Sequence, residues 1–191
     1  MITVFLGGEG PTELGRYARA AAFRNAEDVG VLEALVRGAR PGAEVSGGLL
    51  WKDIRHYKAG GKRSREQRLV LGLCLRAKES GAAAVVFARD RDGDTDRERA
   101  IANAMVQARS MWPTLKIVGG LPVEKIESWM IALCAHEPAD HLTEPKDRAK
   151  ELGVRREAAV TQIEAGHLAL AESKSPSLSA WMQDARSTLA V

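Results

Sequence analysis

Two groups of acidic residues carry the chemistry this sequence offers. The first is Gly8-Glu9-Gly10-Pro11-Thr12-Glu13, directly after the apolar run at residues 2–6. The second is Asp90-Arg91-Asp92-Gly93-Asp94-Thr95-Asp96, directly after the apolar run at residues 82–88. Carboxylates gathered where buried strands stop repel one another, and a divalent cation removes that repulsion. Hard oxygen ligands suit Mg²⁺ or Mn²⁺. Asp90 and Asp92 stand two residues apart and point to the same side of an extended chain, as a shared ion requires. Glu9, from a neighbouring strand end, completes an oxygen site. The competing reading is structural: Asp-Gly-Asp is also turn chemistry, and Asp96 is placed to cap a helix.

Those residues need a scaffold that brings the two strand ends together. Residues 2–7 read as a buried strand, 44–51 as a weaker one interrupted by Gly47 and Gly48, and 82–88 and 115–121 as two more. Helical spacing covers residues 13–37, with a break near 25–30, then 65–80 and 96–111. A further helix is expected over 123–135, with Pro122 in its first turn and Glu124 placed to suit the helix dipole. Three more helices are expected over 146–152, 156–170 and 178–189. Strands alternating with helices predict an α/β fold with a central, mainly parallel sheet. Ligands of such sheets collect beyond the carboxyl ends of the strands. The expected division is an α/β domain over 1–140, with a helical region over 141–191 packed on it.

The whole chain sets bounds. Its 191 residues suffice for a full core, and 45% hydrophobic and 28% charged residues are ordinary for a folded protein. A net charge of +3 admits a nucleic-acid partner without arguing one. The two cysteines, Cys74 and Cys134, sit in apolar helical patterns and read as reduced core thiols. No apolar run reaches the roughly 18 residues of a membrane span. The N-terminus reads as a first strand rather than a signal peptide, so the expected compartment is the cytoplasm.

Several motifs fail. An EF-hand loop from Asp90 needs Gly where Thr95 stands and an acid where Ile101 stands. A Walker loop needs a lysine that Gly10-Pro11-Thr12 lacks, and a dinucleotide fingerprint needs glycine at Glu13. Residues 85–93 also look like the start of a haloacid-dehalogenase-type phosphatase, with Asp94 in the position of its threonine, but residues 115–124 lack that family's later acidic pair.

Taken together, Glu9-Gly10 after a first strand and Asp90-Arg91-Asp92 after a later one resemble the Toprim domain of topoisomerases, primases and OLD-type nucleases. Glu9-Gly10-Pro11-Thr12-Glu13, Ile126-Glu127-Ser128-Trp129 and Pro145-Lys146 resemble a small bacterial Toprim-like family, over residues 2–152. Gly8 departs from the apolar residue usual there, which predicts an early strand end. The resemblance implies a Toprim-like fold and metal-dependent phosphodiester chemistry on nucleic acid, DNA before RNA, in a defence or DNA-maintenance setting. Glu9, Asp90 and Asp92 would be catalytic and bind Mg²⁺ or Mn²⁺, and Asp94 and Glu127 would assist a second ion or orient water. It also implies an ATPase partner of the ABC or SMC type, with the chain as a subunit or binding module of that complex.

Between the acidic groups lies a basic stretch, residues 52–68, with seven Lys or Arg against Asp53 and Glu66. Lys58, Lys62, Arg63 and Arg65 are its candidate phosphate contacts. A solvated loop and helix face is the alternative.

Overall fold

The computed structural model describes residues 1–23, 25–58, 63–122 and 124–190. Four strands form one sheet: β1 (Thr3–Gly8), β2 (Glu44–Leu50), β3 (Ala84–Ala88) and β4 (Lys116–Gly120), in the order β2-β1-β3-β4. Every pairing is parallel. The expected α/β fold with a parallel sheet flanked by helices is what the chain adopts.

The chain leaves β1 in one direction and returns on its other side. After β1 come the single turn α1 (Pro11–Leu14) and α2 (Val31–Ala39), which leads to β2. Helix α3 (Arg65–Glu79) then crosses to β3, and α4 (Thr95–Met111) leads on to β4. The strand order therefore reverses between β1 and β3, the position where open α/β sheets leave a crevice.

Alternation along the strands divides the core. Val4, Leu6, Val86 and Val118 face one side with Leu32, Leu35 and Trp129, while Phe5, Val85, Phe87 and Ile117 face the other with Leu69, Leu73 and Ile101. Both faces of β3 are covered, so all five of its residues are buried.

The later helices are α5 (Ile126–Cys134), α6 (Pro145–Glu151), α7 (Arg156–Glu164), α8 (Leu168–Lys174) and α9 (Pro176–Leu189). Helix α9 lies against the sheet: the Trp181 indole N–H donates to the Phe87 carbonyl at 3.3 Å. Arg156 on α7 donates to the Pro11 carbonyl at 3.2 Å and pairs with Asp28 at 2.5 Å. No helix among the described residues is long and apolar enough to cross a membrane.

The element boundaries differ from expectation where single residues break the period. The helical spacing of residues 13–37 yields only α1, two short 3₁₀ turns and α2, because Gly15 turns the chain at φ 51°. A Cβ there would stand 2.2 Å from the Asp28 carbonyl oxygen, so glycine is required. The helix expected over 156–170 splits into α7 and α8 around Gly166, at φ 84°. Strand β1 does not end early; it runs through Gly8, where a Cβ would stand 2.7 Å from the Cβ of Glu13. Glycine at this position lets α1 fold back onto the strand end.

Candidate functional site

Glu9 leaves β1 and Asp90 leaves β3, its hydrogen-bonded neighbour, so the two meet beyond the sheet. Glu9 Oε1 accepts the Asp90 backbone N–H at 3.0 Å. It also accepts from the Arg89 guanidinium, whose other end reaches Glu66 at 3.4 Å and whose carbon lies 5.5 Å from the Trp51 ring centroid. Asp90 itself turns inward and is 6% exposed. Its Oδ1 accepts the Ile126 backbone N–H at 3.1 Å, at the first turn of α5.

Two more carboxyls complete the group. Glu13 on α1 is buried, and its Oε2 accepts the Gly10 N–H at 2.9 Å. Glu127, beside Ile126 on α5, has a buried Oε2 with no hydrogen-bond partner among the described residues. Burial pushes the Asp90 carboxyl up to about 7, and the charges of Glu9, Glu13 and Glu127 add to it, against the hydrogen bond from Ile126. Glu13 is raised by the same causes: burial first, then Glu9 and Glu127, opposed by backbone N–H groups. One carboxyl of this group therefore keeps a proton near neutral pH.

The residues read as ligands after Asp90 do not join. Asp92 is at φ 49° and Gly93 at φ 69°, so the chain is not extended and the two-residue alternation fails. Asp92 Oδ2 instead pairs with Arg97 at 2.9 Å, and its Oδ1 takes the Lys125 ammonium. Burial raises the Asp92 carboxyl, but the hydrogen bonds from Lys125 and Arg97 outweigh it and hold the group below the usual carboxylate range. Asp94 caps α4, its Oδ1 accepting the Arg97 N–H at 3.0 Å. Glu124 is not in a helix first turn: α5 begins at Ile126, and Glu124 sits at φ 65° with its carboxylate on Arg91 at 2.9 Å. Its carbonyl accepts the Asp92 N–H at 3.3 Å, which ties this segment back onto the acidic loop.

Of the expected site residues, the fold thus brings together Glu9, Asp90 and Glu127, and adds Glu13. Glu13 belongs to the first acidic motif, but nothing in the sequence shows that a one-turn helix folds it back onto the strand end. In the basic stretch, Lys62 lies outside the described residues, and Lys58 and Arg65 are exposed. Arg63 is engaged rather than poised for phosphate: it donates to Gln107 at 3.2 Å and stacks 5.8 Å from the Tyr57 ring centroid.

Neither thiol is set up as a nucleophile. Burial pushes Cys74 up to about 12 and raises Cys134 as well. The buried Ser128 hydroxyl donates to the Lys125 carbonyl at 2.6 Å.

No family model matches the chain. No curated protein matches it. Among solved structures, a carbohydrate acetylesterase family member from Sinorhizobium meliloti is similar, at 18% identity and a TM-score of 0.39, covering 90% of this chain and 99% of that one. At that distance the likeness assigns no activity to this chain.

The metal-dependent nuclease expectation is corrected on these findings. Among the described residues, no group of three or more His, Cys, Asp or Glu side chains stands in an arrangement that could hold a metal ion. Glu9 is committed to Arg89, and Asp92 to Arg97 and Lys125, so the residues present do not fit the Mg²⁺ or Mn²⁺ site expected of them. The phosphatase alternative would need Asp90 as an accessible nucleophile, whereas Asp90 is buried with its Oδ1 on the Ile126 N–H.

Proposed function

We propose that the carboxyl group at the β1–β3 switch point is a general acid–base site for hydrolysis of an uncharged or cationic substrate. The observation that carries this reading is the burial of Asp90 among Glu9, Glu13 and Glu127. Carboxyls in unlike environments divide the roles of acid and base, because their proton affinities are driven apart. Asp90, buried and protonated near neutral pH, donates its proton to the leaving-group oxygen. Glu127, whose Oε2 no described residue engages, takes a proton from the attacking water. Glu9 is held by Arg89 and the Asp90 N–H, so it fixes the β3 terminus and raises the proton affinity of Asp90. An anionic substrate would meet the neighbouring acids whose charges add to burial in holding the Asp90 proton.

The test is turnover of p-nitrophenyl acetate, neutral p-nitrophenyl glycosides and bis(p-nitrophenyl) phosphate by wild type, Asp90→Asn and Glu127→Gln. The expected result is hydrolysis of an uncharged probe, lowered in kcat by about 10²- to 10⁴-fold in each variant. Failure of both uncharged classes, turnover confined to the phosphodiester, or undiminished rates in Asp90→Asn would each overturn the reading.

A further inference from the structure

A second place in the fold carries the opposite charge. Between the end of β2, the second half of α3 and the segment that joins them lies a cavity of about 680 Å³. Its floor is apolar, from Leu49 on β2 and Leu75 on α3, and its rim carries Arg55, His56 and Lys58. None of the four acidic-site residues lines it.

The rim is a fixed strap. Ile54 is 5% exposed and packs in the core below Leu49 and Leu75. Tyr57 N–H donates to the Arg68 carbonyl at 3.1 Å, on the first turn of α3. One turn further along α3 stands Gly72, where a Cβ would lie 2.1 Å from the Arg55 carbonyl oxygen. Only glycine allows the strap backbone to lie this close to the helix. The Tyr57 ring packs edge-on to Trp112, with centroids 6.0 Å apart. These contacts set the direction in which residues 55, 56 and 58 leave the backbone.

Charge on the rim is unbalanced. Arg76 on α3 has an acid of its own, Glu79, at 3.7 Å. Arg55 and Lys58 have no ion-pair partner among the described residues, and Asp53 is the remaining acid at the cavity. Against Asp53, the two cations leave this strap with a net positive charge that a bound anion would balance. The volume falls within the range of small-molecule sites, which combine an apolar lining with a few polar anchors.

We propose that this cavity binds a small organic phosphate of mononucleotide size, with its apolar ring on Leu49 and Leu75 and its phosphate on Arg55 and Lys58. Arginine takes phosphate in a bidentate fork and lysine as a point charge. The site is independent of the acid–base reading of Asp90.

The experiment is binding of AMP, adenosine, inorganic phosphate and a single-stranded 12-nucleotide DNA to the full chain, by calorimetry and by NMR of the His56 ring. AMP is expected to saturate with a dissociation constant below about 1 mM. Arg55→Ala and Lys58→Ala, both at exposed positions, are each expected to weaken it about tenfold. Leu75→Ala tests the floor and should weaken AMP and leave inorganic phosphate unchanged. The His56 ring signals are expected to shift as AMP is added. Adenosine binding as tightly as AMP would overturn the anionic anchor. Binding of the oligonucleotide alone would mark an open nucleic-acid face instead, and absence of AMP binding, or AMP binding unmoved by both basic-residue variants, would overturn the site.

Discussion

Asp90→Asn is expected to stabilise the folded protein, and to do so more as pH rises. In the unfolded chain the carboxyl loses its proton near its ordinary value of 3.8, whereas in the folded protein burial and the neighbouring acids hold the proton to about 7. Between those values the folded state binds more protons than the unfolded state, so wild-type stability falls with rising pH. Above 7 both states are ionised and the full cost of a buried charge remains. Asparagine carries no charge and can still accept the Ile126 N–H. The variant should therefore exceed wild type by about 4 kcal/mol at pH 8 and by about 2 kcal/mol at pH 5, with the gain vanishing below pH 4. Urea unfolding of both proteins at the three pH values measures this. A gain that does not grow between pH 5 and pH 8 would mean that Asp90 ionises as an ordinary aspartate.

The second large effect falls on the helix that supports the site. Trp129 is completely buried on α5, two residues after Glu127, with its ring centroid 5.7 Å from that of Trp181 and its indole N–H donating to Ser177 at 2.8 Å. Both partners belong to α9, so this side chain joins the late helices to the element that presents Glu127 and the Ile126 N–H. Truncation to alanine empties a core position that cannot refill, at a cost of about 3 to 5 kcal/mol. Trp129→Phe keeps most of the packing and loses the hydrogen bond, for about 1 to 2 kcal/mol. Thermal and urea unfolding check both values. A loss below about 1 kcal/mol in Trp129→Ala would show that α9 does not depend on this contact.

The meeting of Glu9 and Asp90 was legible because strand ends in a parallel sheet share one edge and both acids directly follow apolar runs. Glu127 was legible from the Ile-Glu-x-Trp pattern, although not the burial of its Oε2. Asp92 and Asp94 were misread for a local reason. The period-two rule holds only in extended chain, and the left-handed turn at Asp92 and Gly93 ends it, so Asp-Gly-Asp served as turn and cap. The larger misreading concerned how crowded acids are relieved. A cation, a retained proton and an arginine partner all answer the same repulsion, and sequence does not choose among them. The partners that decide here come from afar: Arg89 stands 80 residues from Glu9, and Lys125 stands 33 from Asp92. Buried Glu33, shared by Arg16 at 2.6 Å and Arg37 at 2.5 Å, is a structural case of the third solution that the helical pattern also hid.

The measurement that bears most directly on the acid–base site is the titration of the Asp90 side-chain carboxyl carbon by ¹³C NMR, in wild type and in Glu9→Gln. A midpoint near 7 in wild type, moving down when the Glu9 charge is removed, is the expected result. A midpoint near 3.8, unmoved by Glu9→Gln, would contradict it, because Asp90 would then enter neutral solution as a bare carboxylate with no proton to give.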